Sequence, residues 1–241
     1  MGDKKLLVIS AHAGDYVWRS GGTIASYIEA GAEVHVVVIS HGVRGESNDL
    51  WNQPGQTYEK VKEIRDRESK AAAEILGIKN IEFWGMQDYP IPLGNDELTK
   101  LVTKIRQVNP DIIISHDKFD IMNPDHDNVH KFMHQASVMA TSNGVEISGT
   151  KPSKQMKIYG FEPHQTEVSN FFPGSMVDIT AVYDKKIAAM NCFKAQSHLF
   201  EYYTYRAFLR GNHARRLSDH KSFKYAEAFS NFFPVVSNEL H

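Results

Sequence analysis

The sequence predicts an α/β fold, an open and mostly parallel sheet with helices on both faces, closed by a C-terminal helical extension. Two observations predict it. Short apolar runs alternate with longer segments whose apolar residues recur at helical spacing, four times over, as in parallel strands joined by crossover helices. The strand-like runs are also continuously apolar rather than alternating, as expected of parallel strands covered on both sides.

LLVIS (6–10) reads as the first buried strand, and RSGGTIASYIEAGA (19–32) as a helix ended by Gly31. VHVVVIS (34–40) is the second strand. From Tyr58 to Leu76, Val61, Ile64, Ala71, Ala72, Ile75 and Leu76 recur at helical spacing, with Gly77 as the C-cap. Asn80 to Trp84 gives a third strand, Asp96 to Val108 a helix, and Asp111 to Ser115 a fourth strand. A helix follows from about Asp127 to Thr141. MKIYGFEP (156–163) is the fifth strand, and MVDIT (176–180) a short strand before a helix from Ala181 to Lys194. The polar, glycine-containing loops at 42–57 and 143–155 are expected at the surface. With no repeat, low-complexity tract or clear linker, residues 1–241 read as a single domain, its core at about 4–165 and its extension at about 166–241.

Hydrophobic content of 41% and charged content of 23% are ordinary for a soluble globular protein. A formal charge of −2 argues against nucleic-acid or membrane binding driven by net charge. One cysteine, Cys192, excludes an internal disulfide framework and fits a reducing compartment. The first apolar run is too short for a signal peptide, and no run is long enough to span a bilayer. A cytoplasmic protein is the expectation.

In open parallel sheets, ligands bind outside the carboxyl ends of the strands. The unusual residues of this chain gather there. His12 and Asp15 follow strand one; His41, Arg44 and Glu46 follow strand two. His116, Asp117, Asp120, Asp125, His126 and His130 follow strand four, and Glu162 and His164 follow strand five. Neutral imidazoles with a carboxylate suit zinc, and a catalytic zinc keeps three protein ligands and an open position. His12 and Asp15 supply two ligands, or they cap the strand and the helix instead. His126 sits at a helix entrance, where Asp125 orients an imidazole or caps the helix. His130 and His134 share a helical face with His126 and read as exposed. Gly21 and Gly22 read as turn chemistry; their spacing is not GxGxxG, which disfavours a dinucleotide fold. No GxSxG elbow accompanies Ser10, Ser40 or Ser115. RAFLRGNHARR (206–216) is a solvated helix face or a clamp for a carboxylate.

AHAGD (11–15) and NPDH (123–126) resemble the AHPDD and HPDH motifs of the PIG-L/LmbE-type zinc deacetylases. The resemblance covers roughly residues 4–165 and implies a Rossmann-like fold, zinc held by His12, Asp15 and His126, and Arg65 at the substrate pocket. Two departures matter. The carboxylate that would be the deacetylase base is Gly14 here, and the histidine that would assist its tetrahedral intermediate is Asn123. AHAGDYVWRSGG, HGVRGES, EPHQ, DITAVYDKK and HLFEYYTYRAFLRG resemble the branch of that family that hydrates unsaturated oxo-tricarboxylates such as 4-oxalomesaconate in gallate and protocatechuate breakdown.

That resemblance implies a small di- or tricarboxylate substrate at a zinc centre. Glu46 is the expected acid/base, or alternatively a salt-bridge partner of Arg44. His164 protonates carbon, binds a carboxylate, or packs against strand five. Arg19, Arg44, Arg65 and Arg206, with Asn123, bind the substrate. The competing expectations are N-deacetylation of a small amide or amino sugar, and a binding module that has lost its base. The native metal, homo-oligomerisation and the roles of His41, His116, Asp117 and Asp120 stay open.

Overall fold

A computed structural model describes residues 1–238. In β1 (Lys5–Ser10) the pleat sends Leu6 and Val8 into one apolar cluster and Leu7 and Ile9 into another. The same division recurs in β2 (Glu33–Ser40), with Val36 and Val38 on one face and Val37 and Ile39 on the other. Two-sided burial therefore explains the unbroken apolar runs. Each fully buried aliphatic side chain contributes about 1.5–3 kcal/mol.

Between β1 and β2 lies α1 (Asp15–Glu29). The chain continues through a short α2 (Asn48–Trp51), α3 (Tyr58–Leu76), β3 (Asn80–Met86) and α4 (Asn95–Val108). It then forms β4 (Ile112–His116), α5 (Pro124–Thr141) and β5 (Lys157–Phe161). The remainder gives β6 (Ser175–Asp178), α6 (Tyr183–Met190), α7 (Leu199–Leu217) and β7 (Ala226–Asn231). Strand order is β3-β2-β1-β4-β5-β7-β6. The first five strands are parallel, and β7 runs antiparallel between β5 and β6. Helices α1, α3, α6 and α7 cover one face, and α4 and α5 the other. Among the described residues, no helix is long and apolar enough to cross a membrane.

The structure corrects several sequence expectations. The short strand expected at 176–180 is β6, but the extension adds a second strand, β7, that the sequence does not predict. AEAFSN (226–231) mixes small, acidic and polar residues, so nothing in its pattern announces a strand. Helix α1 begins at Asp15, four residues before Arg19, because Gly14 at its N-cap has no side chain to mark the start. Helix α5 begins at Pro124, capped by the Asn123 side chain. Helix α6 ends at Met190 rather than Lys194. Gly21 and Gly22 lie inside α1, in keeping with the helix expected over 19–32 rather than with turn chemistry, and a Cβ on Gly22 would sit 2.7 Å from Ile179.

Glu227 of β7 ties the extension to this helix. Its carboxylate accepts from the backbone N–H groups of Gly22 and Thr23 at 2.9 and 2.7 Å. The buried Lys186 ammonium donates to Glu227 and, at 3.0 Å, to the Trp18 carbonyl. An ion pair thus takes up backbone groups in the middle of α1. Adjacent strands β1 and β4 lead the chain outward in opposite directions, through β2 on one side and β5 on the other. The crevice at their carboxyl ends is the switch point where such sheets bind ligands.

Candidate metal centre and active site

At that switch point the Ala11 N–H donates to His116 Nε2 at 3.0 Å, joining the ends of β1 and β4. The next residue, His12, meets Asp15 from the first turn of α1 and His126 from the first turn of α5. One ligand atom from each lies within 4.8 Å of the others, and all three residues are buried. His12 Nδ1 is 3.2 Å from His126 Nε2 and 3.4 Å from Asp15 Oδ2, while His126 Nε2 is 3.5 Å from Asp15 Oδ1. Two imidazole nitrogens and a carboxylate converging on one point fit a divalent ion with an open coordination position.

Each imidazole of this trio turns its other nitrogen to a carboxylate. His12 Nε2 is 3.3 Å from Asp125 Oδ2, and His126 Nδ1 is 2.9 Å from Asp120 Oδ2. Such partners fix the tautomer and aim the ligand nitrogen. Asp125 is itself held by the backbone N–H groups of Tyr89 and Ile91, both at 2.9 Å. Asp120 accepts from Met122 N–H and from Arg19 Nη2, each at 3.2 Å. Arg19 also lies 3.6 Å from Asp15 and donates to the Glu162 carbonyl. Burial opposes charge on His12, yet the Asp125 and Asp15 carboxylates lift its imidazole to about 10. Burial and the neighbouring His126 push His116 down to about 3. A neutral His116 agrees with its role as acceptor for Ala11, and it stacks on His126 with ring centroids 4.0 Å apart.

Glu46 approaches from the loop after β2. Its Oε1 accepts from Asn123 Nδ2 at 2.5 Å and its Oε2 from Gln196 Nε2 at 2.7 Å. The Oδ1 of Asn123 caps α5 by accepting from Asp125 N–H, so its NH2 must face Glu46. The loop is pinned from below by the buried Asp88, which accepts from the N–H groups of Arg44 and Gly45. Tyr89, with left-handed φ of 53°, lays its ring over Gly45, where a Cβ would sit 2.0 Å away. Its centroid is 6.2 Å from that of His12.

The structure separates the four arginines expected to bind substrate. Arg44 is exposed, and only its backbone is engaged in the loop. Arg65 is wholly buried, and its donors go to Glu68 at 3.0 Å, Gln196 at 2.7 Å and the His41 carbonyl at 3.3 Å. Arg206 is committed to the Pro163 carbonyl at 2.8 Å, the His164 carbonyl at 2.6 Å and the Tyr202 ring. Arg19 stands behind the His12–Asp15–His126 cluster. His164 Nδ1 is 3.2 Å from the Tyr203 hydroxyl, and burial beside Arg19 and Arg206 holds its imidazole down at about 3. His41 turns to Asp66 and Phe83, while Asp117 accepts from Ser230 of β7. His130 is half-buried rather than exposed, donating to the His116 carbonyl and packing on Phe232.

The model of one protein family, described as GlcNAc-PI de-N-acetylase (PIG-L), matches residues 7–137. The chain belongs to the PIG-L family. It is 41% identical over 240 residues to a 4-oxalmesaconate hydratase of Pseudomonas putida, covering 98% of this chain and 92% of that one. It is 26% identical over 200 residues to a diacetylchitobiose deacetylase of Thermococcus kodakarensis, covering 80% and 70%. Among solved structures, GalB, the 4-carboxy-2-hydroxymuconate hydratase from P. putida KT2440, superposes with a TM-score of 0.94. That match has 41% identity and covers 99% of this chain and all of that one.

The PIG-L match includes His12, Asp15, Glu46, Asn123 and His126 but stops short of His164, Gln196 and Arg206. Gln196 is the residue that sequence reasoning missed most completely. It comes from a 3-10 turn at Lys194–Gln196, and no spacing links it to Glu46. Asp120 had a signal, lying six residues before His126 at the same strand end. Tyr89 and Asp88 lie in a short loop after β3 that carries no motif.

Proposed function

We propose that this member of the PIG-L family is a zinc-dependent hydratase. It adds water across the conjugated double bond of an unsaturated oxo-carboxylate such as 4-oxalomesaconate, in the cytoplasm, during aromatic-acid breakdown. The likeness to the P. putida hydratase extends over nearly the whole chain, including the extension outside the family match. One observation carries the choice of hydration over deacetylation: no carboxylate stands at position 14, while Glu46 stands over the crevice from the loop after β2. Position 14 has no side chain, and a Cβ there would lie 2.7 Å from Trp18 Nε1 and 3.0 Å from Gln196 Oε1. A carboxylate at 14 has no room, whereas Glu46 is held by two amide donors.

His12, Asp15 and His126 are the proposed zinc ligands, with Asp125 and Asp120 behind the imidazoles. A zinc ion bound there supplies Lewis acidity toward a substrate oxygen. Glu46 keeps lone pairs free beyond its two amide bonds and takes a proton from water as the water oxygen bonds to the β-carbon. The π pair moves into the conjugated carbonyl as an enolate, and a proton then returns to the α-carbon. His164, neutral at ordinary pH, hydrogen-bonds the substrate rather than delivering a proton as imidazolium. Arg44 is the arginine free to meet a substrate carboxylate.

The test is ultraviolet absorbance of the conjugated oxo-acid, followed with zinc-loaded enzyme, beside acetate release from N-acetylglucosamine derivatives. Loss of the chromophore without acetate release is expected; the reverse pattern overturns the reading. Glu46→Gln should keep its zinc and lose about 10²-fold or more in kcat.

A further inference from the structure

Trp18 and Gln196 together occupy the space that a side chain at position 14 would need, with a Cβ 2.7 Å from Trp18 Nε1 and 3.0 Å from Gln196 Oε1, and Gln196 at the same time holds Glu46. Its amide cannot be turned around. Arg65 has only donors, so Gln196 Oε1 must face Arg65 Nη2 at 2.7 Å, with Trp18 Nε1 at 3.4 Å as a further donor. Nε2 is thereby left for Glu46 Oε2 at 2.7 Å. Arg65 is locked by Glu68, whose other oxygen accepts from the N–H of Ala195, the residue before Gln196. Along the mostly buried chain Glu68–Arg65–Gln196–Glu46–Asn123, Arg65 donates to Glu68 and to Gln196, and Gln196 and Asn123 both donate to Glu46. Both amides present NH2 to Glu46, so they hold it as an acceptor.

We propose that Gln196, delivered by the C-terminal extension, is the positioning residue that aims Glu46 at the reacting water and, with Trp18, bars a carboxylate from position 14, so that it sets which acid–base chemistry this centre performs. The proposal rests on the hydratase reading above. Because Arg65 and Glu68 cancel each other's charge, Gln196 transmits orientation to Glu46 through a neutral group. A substitution there therefore acts on turnover more than on substrate binding or on the metal. Position 14 should act through the same amide. Gly14 has φ of −102°, which alanine adopts freely, so Gly14→Ala perturbs only the Trp18 and Gln196 contacts.

The experiment compares Gln196→Ala, Gln196→Glu, Gly14→Ala and the Gly14→Ala/Gln196→Ala double variant with the parent enzyme. Zinc content, thermal midpoint, and kcat and KM for hydration across pH are measured for each. Gln196→Ala is expected to lower kcat about 10- to 100-fold, with KM and zinc content within about twofold of the parent. Gln196→Glu sets a second carboxylate against Glu46 and should move the acid limb of the kcat profile to higher pH. Gly14→Ala should lower kcat in the same direction, and the double variant should fall short of the product of the two losses. A folded, zinc-loaded Gln196→Ala enzyme with kcat within twofold of the parent overturns the proposal, as does an unmoved pH limb in Gln196→Glu. No hydration by the parent enzyme overturns the proposal together with the reading beneath it.

Discussion

The two sides of the site are held by opposite kinds of contact. On the metal side, both ligand imidazoles face carboxylates, and those carboxylates are gripped by backbone N–H groups and by Arg19. On the side of the proposed base, Glu46 is held by two neutral amides, and Arg65, which holds one of them, is paired off by Glu68. A cation centre gains from surrounding negative charge, which raises ligand basicity. A general base has a different need, because a full positive charge against it would depress its basicity. Neutral donors orient it without that penalty. The difference teaches that one crevice is engineered for two electrostatic tasks by the choice of partner, not by depth of burial.

The comparison breaks most completely at His126. His126→Ala removes one of three converging donors while leaving Glu46 and its amides in place. Metal analysis should show loss of the ion and no measurable turnover. Full metal occupancy in this variant would reject the ligand set and with it the division between the two sides.

A large effect on stability is expected at Lys186, which lies outside both sides yet supports each. Lys186→Met strands the buried Glu227 carboxylate, which also binds the backbone of the helix carrying Asp15 and Arg19. Removing one partner of a buried pair costs about 3–5 kcal/mol. Urea unfolding should show a loss of that order, and a loss under about 1 kcal/mol would mean that Glu227 takes up a proton or reaches water instead.

The uneven support of the two sides also decided what the sequence could reveal. His12, Asp15 and His126 sit within a few residues of strand ends, where residue type and position coincide, so the cradle was legible from spacing and from the family resemblance. So were β1, β2 and β4, because two-sided burial writes a continuous apolar run, whereas β3 at the sheet edge is only partly buried and mixes Asn80 and Glu82 into its apolar residues. The base side was half legible: Glu46 stood out, but its holders did not. Asn123 does two tasks with one amide, capping α5 and binding Glu46, and only coordinates disclose the second. Gln196 and Glu227 act across 150 and 205 residues of chain respectively, with no periodic pattern at either end. Arg65 was read as a substrate ligand from its motif, yet its bonds to Glu68, Gln196 and His41 turn it inward. Buried ion pairs and pocket arginines look alike in a sequence.

A more modest change sharpens the metal side. Asp120→Asn keeps the shape behind His126 Nδ1 and the contact to Arg19 but removes the negative charge. Burial opposes ionisation of Asp120, yet the hydrogen bond to His126 and the charge of Arg19 hold its carboxyl well below the usual range, so the charge is present at all ordinary pH values. Metal affinity should fall about 10- to 100-fold, read by competition with a chelating dye, while kcat at saturating metal stays close to the parent value. An equal fall in kcat with full metal loading would place Asp120 on the base side as well.

The smallest expected effect belongs to His164, and it appears only in acid. Its folded value near 3, against an ordinary 6.5, means that the unfolded chain binds the extra proton between those two limits. Stability must therefore fall as pH drops below about 6.5, because protonation draws the equilibrium toward the unfolded state. His164→Gln removes this proton and should unfold less readily in acid: between pH 7.5 and pH 5.5 the variant should lose about 1 kcal/mol less than the parent. At pH 7.5 the acid-linked difference vanishes, leaving only the exchanged contact with Tyr203. An unchanged acid slope would show that His164 gains its proton within the folded state. The imidazole would then be able to deliver a proton to the α-carbon from its place beside Arg19 and Arg206.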